Sequence, residues 1–201
     1  DIRKCLENWD KGDNGILYFS RAYKLKPGTG WDVPPGILHA PGSLLTYEPQ
    51  RCSDVFAMFQ SLVWDIPTPW ELLVKNVPEE YKNNLDYIVS LVNWELNVDP
   101  DFYRNRFAEP KPVKSLEEMQ AEGYEEYWIS YKSKEFSAKE LRVFPGRTVT
   151  IKDKEAYGLI TIEGHGQFGP HSIDAPNLIR FGEMTSDELF VTQRAAQDGV
   201  T

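Results

Sequence analysis

Cysteine, histidine and long apolar runs are scarce in this sequence, and each scarcity excludes a class of protein. The 201 residues include two cysteines, Cys5 and Cys52, which are too few for a scaffold held together by several disulfides. Two reduced, partly buried thiols in a cytoplasmic protein are therefore expected. No apolar run approaches the roughly 20 residues that a membrane-spanning helix needs, so no membrane partner is expected.

Positive charge is also in short supply. The chain has 22 Lys and Arg residues against 31 Asp and Glu residues, which leaves a formal net charge of −9. Because Lys and Arg supply the affinity for a phosphate backbone, nucleic acid is not expected as a partner, and neither is an anionic membrane surface. A phosphorylated small molecule is compatible with this balance, since a pocket needs only a few local cations.

Turn-forming residues and aromatics, by contrast, are plentiful. The 14 glycines and 14 prolines interrupt the chain often, which favours short strands over long helices. Trp64, Trp70 and Trp94 are expected in the core, with stacking against a sugar ring as the alternative. We expect a mainly β fold in three parts: a strand-rich region at 1–65, a helical insert and linker at 66–123, and a second strand-rich region at 124–201.

Local patterns predict the individual elements. Apolar stripes and capping residues predict helices at 1–11, from a cap at Thr68, over the stripe at 85–92, and at 115–121. Residues 185–197 fit either a last helix or a loop that leads into a strand. Alternating and aromatic-rich segments predict strands at 43–47, 54–64, 127–131, 138–143, 148–151, 157–162 and 178–181.

Three histidines are available as metal ligands or proton carriers, namely His39, His165 and His171. His39 follows a Pro-Pro-Gly corner at 34–36, which would hold the imidazole in a fixed place near a strand start, as a metal ligand requires. A purely structural histidine is the alternative for a lone residue of this kind. His165 and His171 lie in a glycine-rich loop, which predicts a polar hairpin tip or, as the alternative, a metal site.

The segment around His39 resembles a known family. Gly30, the corner at 34–36 and His39 resemble the second conserved motif of the cupin superfamily, whose members are β-barrels of the jelly-roll type. The neighbouring residues 24–28 and 47–54 are similar to type I mannose-6-phosphate isomerases, in which an I-P-x-G-x-x-H-A segment is followed by E-x-Q-x-x-S-D. The similarity covers about residues 1–60 and returns faintly over 124–201.

This resemblance implies cupin or jelly-roll barrels, of which the first, at 1–65, is incomplete at its N-terminal side. The second, at 124–201, is implied to be degenerate and free of metal. The first barrel would bind one Zn²⁺, with His39 as one ligand and the remaining ligands upstream of Asp1, since a catalytic site uses about three protein ligands. We therefore expect this chain to be the C-terminal part of a longer polypeptide and to associate with the missing N-terminal part. Homo-oligomerisation is also compatible with this organisation.

The activity that the resemblance implies is aldose–ketose isomerisation of a sugar phosphate, of the mannose 6-phosphate type, in carbohydrate metabolism. Glu48 and Gln50, which would share one face of a strand, and the adjacent Arg51 are candidates for contacts with the sugar or with the metal ligands. Five residues after Ser53, where the family carries an arginine, this sequence has Met58. The alternative is a non-catalytic carbohydrate-binding or regulatory cupin that has lost the arginine. A third hypothesis is another cupin metalloenzyme, such as a dioxygenase or an epimerase.

Overall fold

The computed structural model describes residues 1–53, 55–178 and 181–201. These residues divide into two compact units. The first unit comprises Asp1–Lys111 and Trp128–Lys139, and the second unit comprises Pro112–Tyr127 and Glu140–Thr201. His39, Glu48, Gln50 and Arg51 therefore lie in the first unit, and His165 and His171 lie in the second.

Helices in the described residues are short and belong mostly to the first unit. In chain order they are α1 (Ile2–Glu7), α2 (Trp70–Val74), α3 (Leu85–Ser90), α4 (Trp94–Asn97), α5 (Phe102–Arg106), α6 (Leu116–Glu122) and α7 (Gln193–Asp198). Single 3₁₀ turns are found at Trp9–Lys11, Ile16–Phe19 and Glu79–Tyr81. The helices expected over 1–11, within 85–92 and at 115–121 are thus confirmed. None of the helices in the described ranges has the length and apolar character needed to cross a bilayer.

Strands in the described residues form small sheets. They are β1 (Gly30–Trp31), β2 (Leu62–Val63), β3 (Ile66–Pro67), β4 (Phe107–Ala108), β5 (Lys111–Pro112), β6 (Tyr124–Ser130), β7 (Ala138–Val143), β8 (Tyr157–Ile160), β9 (Gly164–Phe168), β10 (His171–Ala175) and β11 (Glu188–Val191). Antiparallel pairs join β1 with β4, β2 with β3, β8 with β11 and β9 with β10, while β5, β6 and β7 form a three-stranded sheet. The molecule is therefore rich in small antiparallel sheets, and within the described ranges no sheet closes into a barrel.

Several expected strands in the first unit are absent. Residues 43–53 and 55–60 form no strand, and of the strand expected at 54–64 only β2 is present. Leu45 is 92% exposed and Val55 is 72% exposed, so these β-forming side chains pack against no described neighbouring sheet. Strand propensity expresses itself through packing and pairing, and without them the backbone stays irregular. Asp54 lies outside the described residues.

The predicted start of α2 is also wrong by one residue. The helix begins at Trp70, with Pro69 at the cap position and no side-chain cap hydrogen bond. Thr68 is buried and its amide N–H donates to the Ser61 carbonyl at 2.8 Å, so this residue extends the pairing of the preceding hairpin. Thr68 therefore forms a backbone hydrogen bond beside the β2–β3 hairpin and does not serve as the expected cap of α2.

Of the strands expected after residue 123, those at 127–131, 138–143 and 157–162 are confirmed, with slightly different bounds, by β6, β7 and β8. The strand at 148–151 is reduced to a single bridge between Ile151 and Val200. The strand at 178–181 was also wrong at Leu178 and Phe181, which belong to no strand, and positions 179 and 180 lie outside the described residues. Residues 185–197 contain elements of both predicted alternatives, because a loop leads into β11 and α7 follows directly after it. The helix is capped by Thr192, whose side chain accepts a hydrogen bond from the Ala195 amide.

The core of the first unit joins the start of the chain to the predicted helical insert. Its fully buried members come from the first helical turns and from α2 and α3: Leu6, Trp9, Leu73, Val74, Val77 and Ile88. Because each of these side chains is apolar and shielded from water, burial holds the segment at 66–98 against residues 1–11. A second cluster of aromatic rings packs around β1 and β4, and consists of Tyr23, Trp31, Phe102, Tyr103 and Phe107.

Candidate functional site

The Pro-Pro-Gly corner leads from β1 to His39 and is anchored at both ends. On the upstream side, the Asp32 amide donates to the Arg106 carbonyl at 2.9 Å, and the Asp32 carboxylate accepts from the Arg106 guanidinium at 2.9 Å. The Ile37 amide donates to the Pro34 carbonyl at 3.4 Å and closes the turn. Ile37 is 6% exposed, so burial of its side chain anchors the downstream end of the corner in the protein interior.

Gly36 is required at the tip of the corner for two separate reasons. Its φ of +84° lies in the left-handed region that side chains rarely tolerate. A Cβ at this position would also lie 2.9 Å from the Asn93 Cβ and 3.0 Å from the Asn93 amide nitrogen. The corner therefore packs directly against the residue that precedes α4, and the Asn93 amide donates to the Gly36 carbonyl at 3.0 Å.

His39 is exposed, and its ring is held by one short hydrogen bond. The Nδ1 atom lies 2.9 Å from the Ile37 carbonyl oxygen. Because a carbonyl oxygen can only accept, Nδ1 carries the proton, and in the neutral ring the lone pair on Nε2 is available. Metal-bound histidines commonly use this arrangement, in which one ring nitrogen donates to a carbonyl and the other binds the metal. The role of His39 as a metal ligand stays a prediction, with which this hydrogen bond is compatible.

Glu48, Gln50 and Arg51 lie in the irregular segment after the corner, and all three are exposed. The Thr46 hydroxyl donates to Glu48 Oε1 at 3.1 Å, and Arg51 forms an ion pair with Glu135. Because the segment is not a strand, the two-residue period that was expected to align Glu48 with Gln50 does not operate. In the part of the chain that the structure describes, no hydrogen bond or ion pair joins these residues to His39.

The described residues contain no cluster of three or more His, Cys, Asp or Glu side chains that could enclose a metal ion. His165 and His171 lie in β9 and β10, so the loop that was predicted to carry them is a regular hairpin. His165 is opposite Asp174, and His171 is opposite Phe168. Because neighbouring strand positions alternate between faces, the two imidazoles lie on opposite faces of the hairpin. This pair therefore does not form a metal site.

Both cysteines are free thiols, but their surroundings differ. Cys5 is buried in α1, and burial raises the pKa of its thiol above the ordinary value. Cys52 is exposed, so the expectation of partial burial is wrong for this residue.

Met58, which stands where the resembled family carries an arginine, is half-buried. Its amide donates to the Leu72 carbonyl at 3.1 Å, which connects this position to α2.

A shallow pocket of about 250 Å³ opens in the first unit beside the start of α2. Its lining residues include Trp9, Trp70 and Asp10, and the rings of the two tryptophans meet edge to face with centroids 5.2 Å apart. Trp70 packs partly against the core as expected, whereas Trp64 is 82% exposed and was wrongly assigned there. The two-residue loop of the β2–β3 hairpin places Trp64 at its tip with a φ of 55°.

Asn97, at the end of α4, was missed by the sequence analysis. Its Oδ1 accepts a hydrogen bond of 2.9 Å from the Leu38 amide, directly before His39. The two residues are 59 positions apart, so no local pattern could have connected them. The spacing of Asn93 and Asn97 on one short helix was the available signal, but it indicates a polar helix face and no particular partner.

Comparison with known proteins adds no relative to this picture. No protein-family model matches the sequence, and neither a curated protein nor a solved structure matches the chain.

Proposed function

We propose that this chain is part of a metal-dependent sugar-phosphate isomerase of the cupin type, acting on a substrate such as mannose 6-phosphate. The observation that carries the proposal is His39, which follows a braced Pro-Pro-Gly corner and whose Nδ1 lies 2.9 Å from the Ile37 carbonyl oxygen. The reaction class comes from the resemblance of residues 24–54 to type I mannose-6-phosphate isomerases.

The metal site of this proposal is shared with residues outside the 201. A catalytic Zn²⁺ needs about three protein ligands, and the described residues contain no group of three or more His, Cys, Asp or Glu side chains around His39. The resemblance assigns the other ligands to strands upstream of Asp1. A bound divalent ion would polarise the sugar oxygens during proton transfer between two carbons. The contribution of this chain is then one neutral imidazole held in a fixed tautomer.

The sugar and its phosphate would meet the segment that follows the corner. Glu48, Gln50 and Arg51 are exposed and are free of any secondary structure that would hold them elsewhere. Arg51 would exchange its ion pair with Glu135 for the phosphate group. Such an exchange costs little, because an exposed ion pair contributes only about 0–1 kcal/mol.

The cupin fold itself belongs to the same proposal. Residues 1–65 would form the C-terminal part of a first barrel, 66–123 an insert with a linker, and 124–201 a second, metal-free unit. The antiparallel pair β8–β11 and the hairpin β9–β10 support an antiparallel β architecture in the last of these. The free thiols of both cysteines are compatible with a cytoplasmic location, which we include in the proposal.

A non-catalytic carbohydrate-binding protein is the second candidate. Two observations favour it: Met58 stands where the family carries an arginine, and the pocket beside α2 is lined by the aromatic residues Trp9 and Trp70 together with Asp10. Ligand pockets commonly have this composition, mostly apolar with a few polar groups that orient the ligand. In this alternative the protein binds a sugar without converting it.

The first experiment is metal analysis by mass spectrometry, on the longest natural form of the protein beside the 201-residue chain. We expect about one Zn²⁺ per molecule in the long form and its loss in His39→Ala. His171→Ala is the matched control, because this exposed histidine lies in the second unit and is expected to leave the metal content unchanged.

Turnover then separates the two candidates. Conversion of mannose 6-phosphate to fructose 6-phosphate by the metal-loaded protein supports the isomerase. Sugar binding without turnover, detected by tryptophan fluorescence and weakened by Trp70→Ala, supports the second candidate. Absence of metal from both forms, with His39→Ala changing nothing, would overturn the isomerase proposal.

A further inference from the structure

We infer that Asn97 is a positioning residue, which sets the orientation and the tautomer of His39 through the peptide group between Ile37 and Leu38. This inference rests on the proposed function only in giving His39 the role of a metal ligand. It adds to the site a residue of the helical insert, 59 positions away from Leu38 in the sequence.

The carboxamide of Asn97 makes hydrogen bonds on both of its sides. Its Nδ2 donates to the Gly36 carbonyl and to the Asn93 carbonyl, each at 2.7 Å. Its Oδ1 accepts from the Leu38 amide at 2.9 Å. The Asn97 side chain thus hydrogen-bonds to the Gly36 carbonyl and to the Leu38 amide, which lie on either side of Ile37. A neighbouring strand would form a similar pair of bonds, but this part of the corner belongs to no sheet.

A single rigid peptide unit connects Asn97 to the imidazole. The Leu38 amide and the Ile37 carbonyl belong to the same planar group and point in opposite directions. When Asn97 Oδ1 holds the amide on one side, the carbonyl is directed to the other side, where it accepts the Nδ1 proton of His39 at 2.9 Å. Hydrogen bonds arranged in such a chain also polarise and strengthen one another.

Asn97 is itself held in place, so it can act as a fixed reference for the corner. Its amide donates to the Asn93 carbonyl at 3.1 Å within α4, and its carbonyl accepts from the Arg21 guanidinium at 2.8 Å. The same guanidinium donates to the Asp99 carbonyl at 2.6 Å and lies 5.2 Å from the centre of the Phe102 ring. These contacts connect the position of the corner to the aromatic cluster around β1 and β4.

The test is nitrogen-15 NMR of the imidazole, combined with hydrogen exchange of the backbone amides. The variants are Asn97→Ala and Asn97→Leu, of which the second keeps the volume of the side chain and removes all of its hydrogen bonds. Asn76→Ala is the matched control, because this carboxamide lies in the same helical region and donates to the Phe56 carbonyl, away from the corner.

In the wild type, at a pH well above the ordinary histidine range, we expect His39 with its proton on Nδ1. In either Asn97 variant we expect a shift toward the tautomer protonated at Nε2. The Leu38 amide should exchange faster by roughly two- to tenfold, as the loss of one hydrogen bond predicts. The control should keep the wild-type values of both quantities.

Zinc affinity of the metal-binding form provides a separate readout. We expect it to fall by about 10- to 100-fold in the Asn97 variants, which is the usual effect of losing a group that orients a ligand. A folded Asn97 variant with an unchanged His39 tautomer and unchanged Leu38 exchange would overturn this inference. If the tautomer shifts as expected while the wild type binds no metal, the positioning role stands and the proposed isomerase fails.

Discussion

Substitution of Gly30 by alanine is the most direct test of how β1 is packed. A Cβ added at Gly30 would lie 1.9 Å from the Ile129 carbonyl oxygen and 3.0 Å from its carbon. The first of these distances is roughly 1.5 Å short of ordinary van der Waals contact. Both atoms belong to the backbone, so no side chain can rotate away, and one of the two backbone segments must move.

The expected cost follows from this geometry. Overpacking in a closed interior commonly costs about 1–3 kcal/mol and sometimes more, and the contact here is with backbone on one side and with Ala108 of the partner strand β4 on the other. We therefore expect a loss of about 3 kcal/mol in the free energy of unfolding of the first unit. Because the φ of Gly30 is not positive, the loss measures crowding and not a strained backbone angle.

Urea unfolding followed by tryptophan fluorescence can measure this loss, since all six tryptophans lie in the first unit. The control is Gly158→Ala in β8, where nothing lies within 4 Å of an added Cβ. Read by circular dichroism, that variant should be neutral or more stable by about 0.4–1 kcal/mol. A Gly30→Ala protein that unfolds within about 0.5 kcal/mol of the wild type would refute the packing described for β1.

Three further predictions concern the core, the thiols and pH. Leu73→Ala should lower the free energy of unfolding by about 2–5 kcal/mol, because Leu73 is 1% exposed. Leu45→Ala, at a 92% exposed position, should change it by less than about 0.5 kcal/mol. Equal effects of the two substitutions in urea unfolding would contradict the assigned core. In the folded protein a thiol reagent should modify Cys52 rapidly and Cys5 only on unfolding, since burial raises the pKa of Cys5; equal rates would disprove this. Hydrogen bonds from Asn105 and from a backbone amide lower the pKa of Asp99 below 3.8, so the charged carboxylate stabilises the fold above that pH and this effect is lost as the pH falls through the lowered value. The difference in unfolding free energy between wild type and Asp99→Asn should therefore shrink over that range. A difference that stays constant with pH would contradict the lowered pKa of Asp99.

Sequence reasoning was most successful where structure depends on near neighbours. An apolar stripe of Ile2, Cys5, Leu6 and Trp9 predicted the first helix, and two of its members, Leu6 and Trp9, lie in the core. Ser115 caps α6, and Gly123 ends it with a φ of +96°. Helical hydrogen bonds and caps connect residues only three or four positions apart, so the information needed to predict them is local.

Strands were predicted less well, because a strand needs a partner that the local sequence does not identify. Residues 43–47 have the composition of a strand and form none, whereas the glycine-rich segment 163–171 was expected to be a hairpin tip and supplies β9 and the start of β10. The glycines at 164 and 166 suggested a loop, but five paired positions across from β10 stabilise the extended backbone there.

The candidate site shows the same division. The sequence by itself determined the Pro-Pro-Gly corner and the histidine that follows it, because turn geometry is decided by the residues in the turn. Only the tertiary structure decided that Asn93 and Asn97 form hydrogen bonds with this corner and that the Ile37 carbonyl lies within hydrogen-bond distance of His39 Nδ1. Those contacts join segments about 60 residues apart, so they depend on how the chain folds back on itself, which no local sequence pattern specifies.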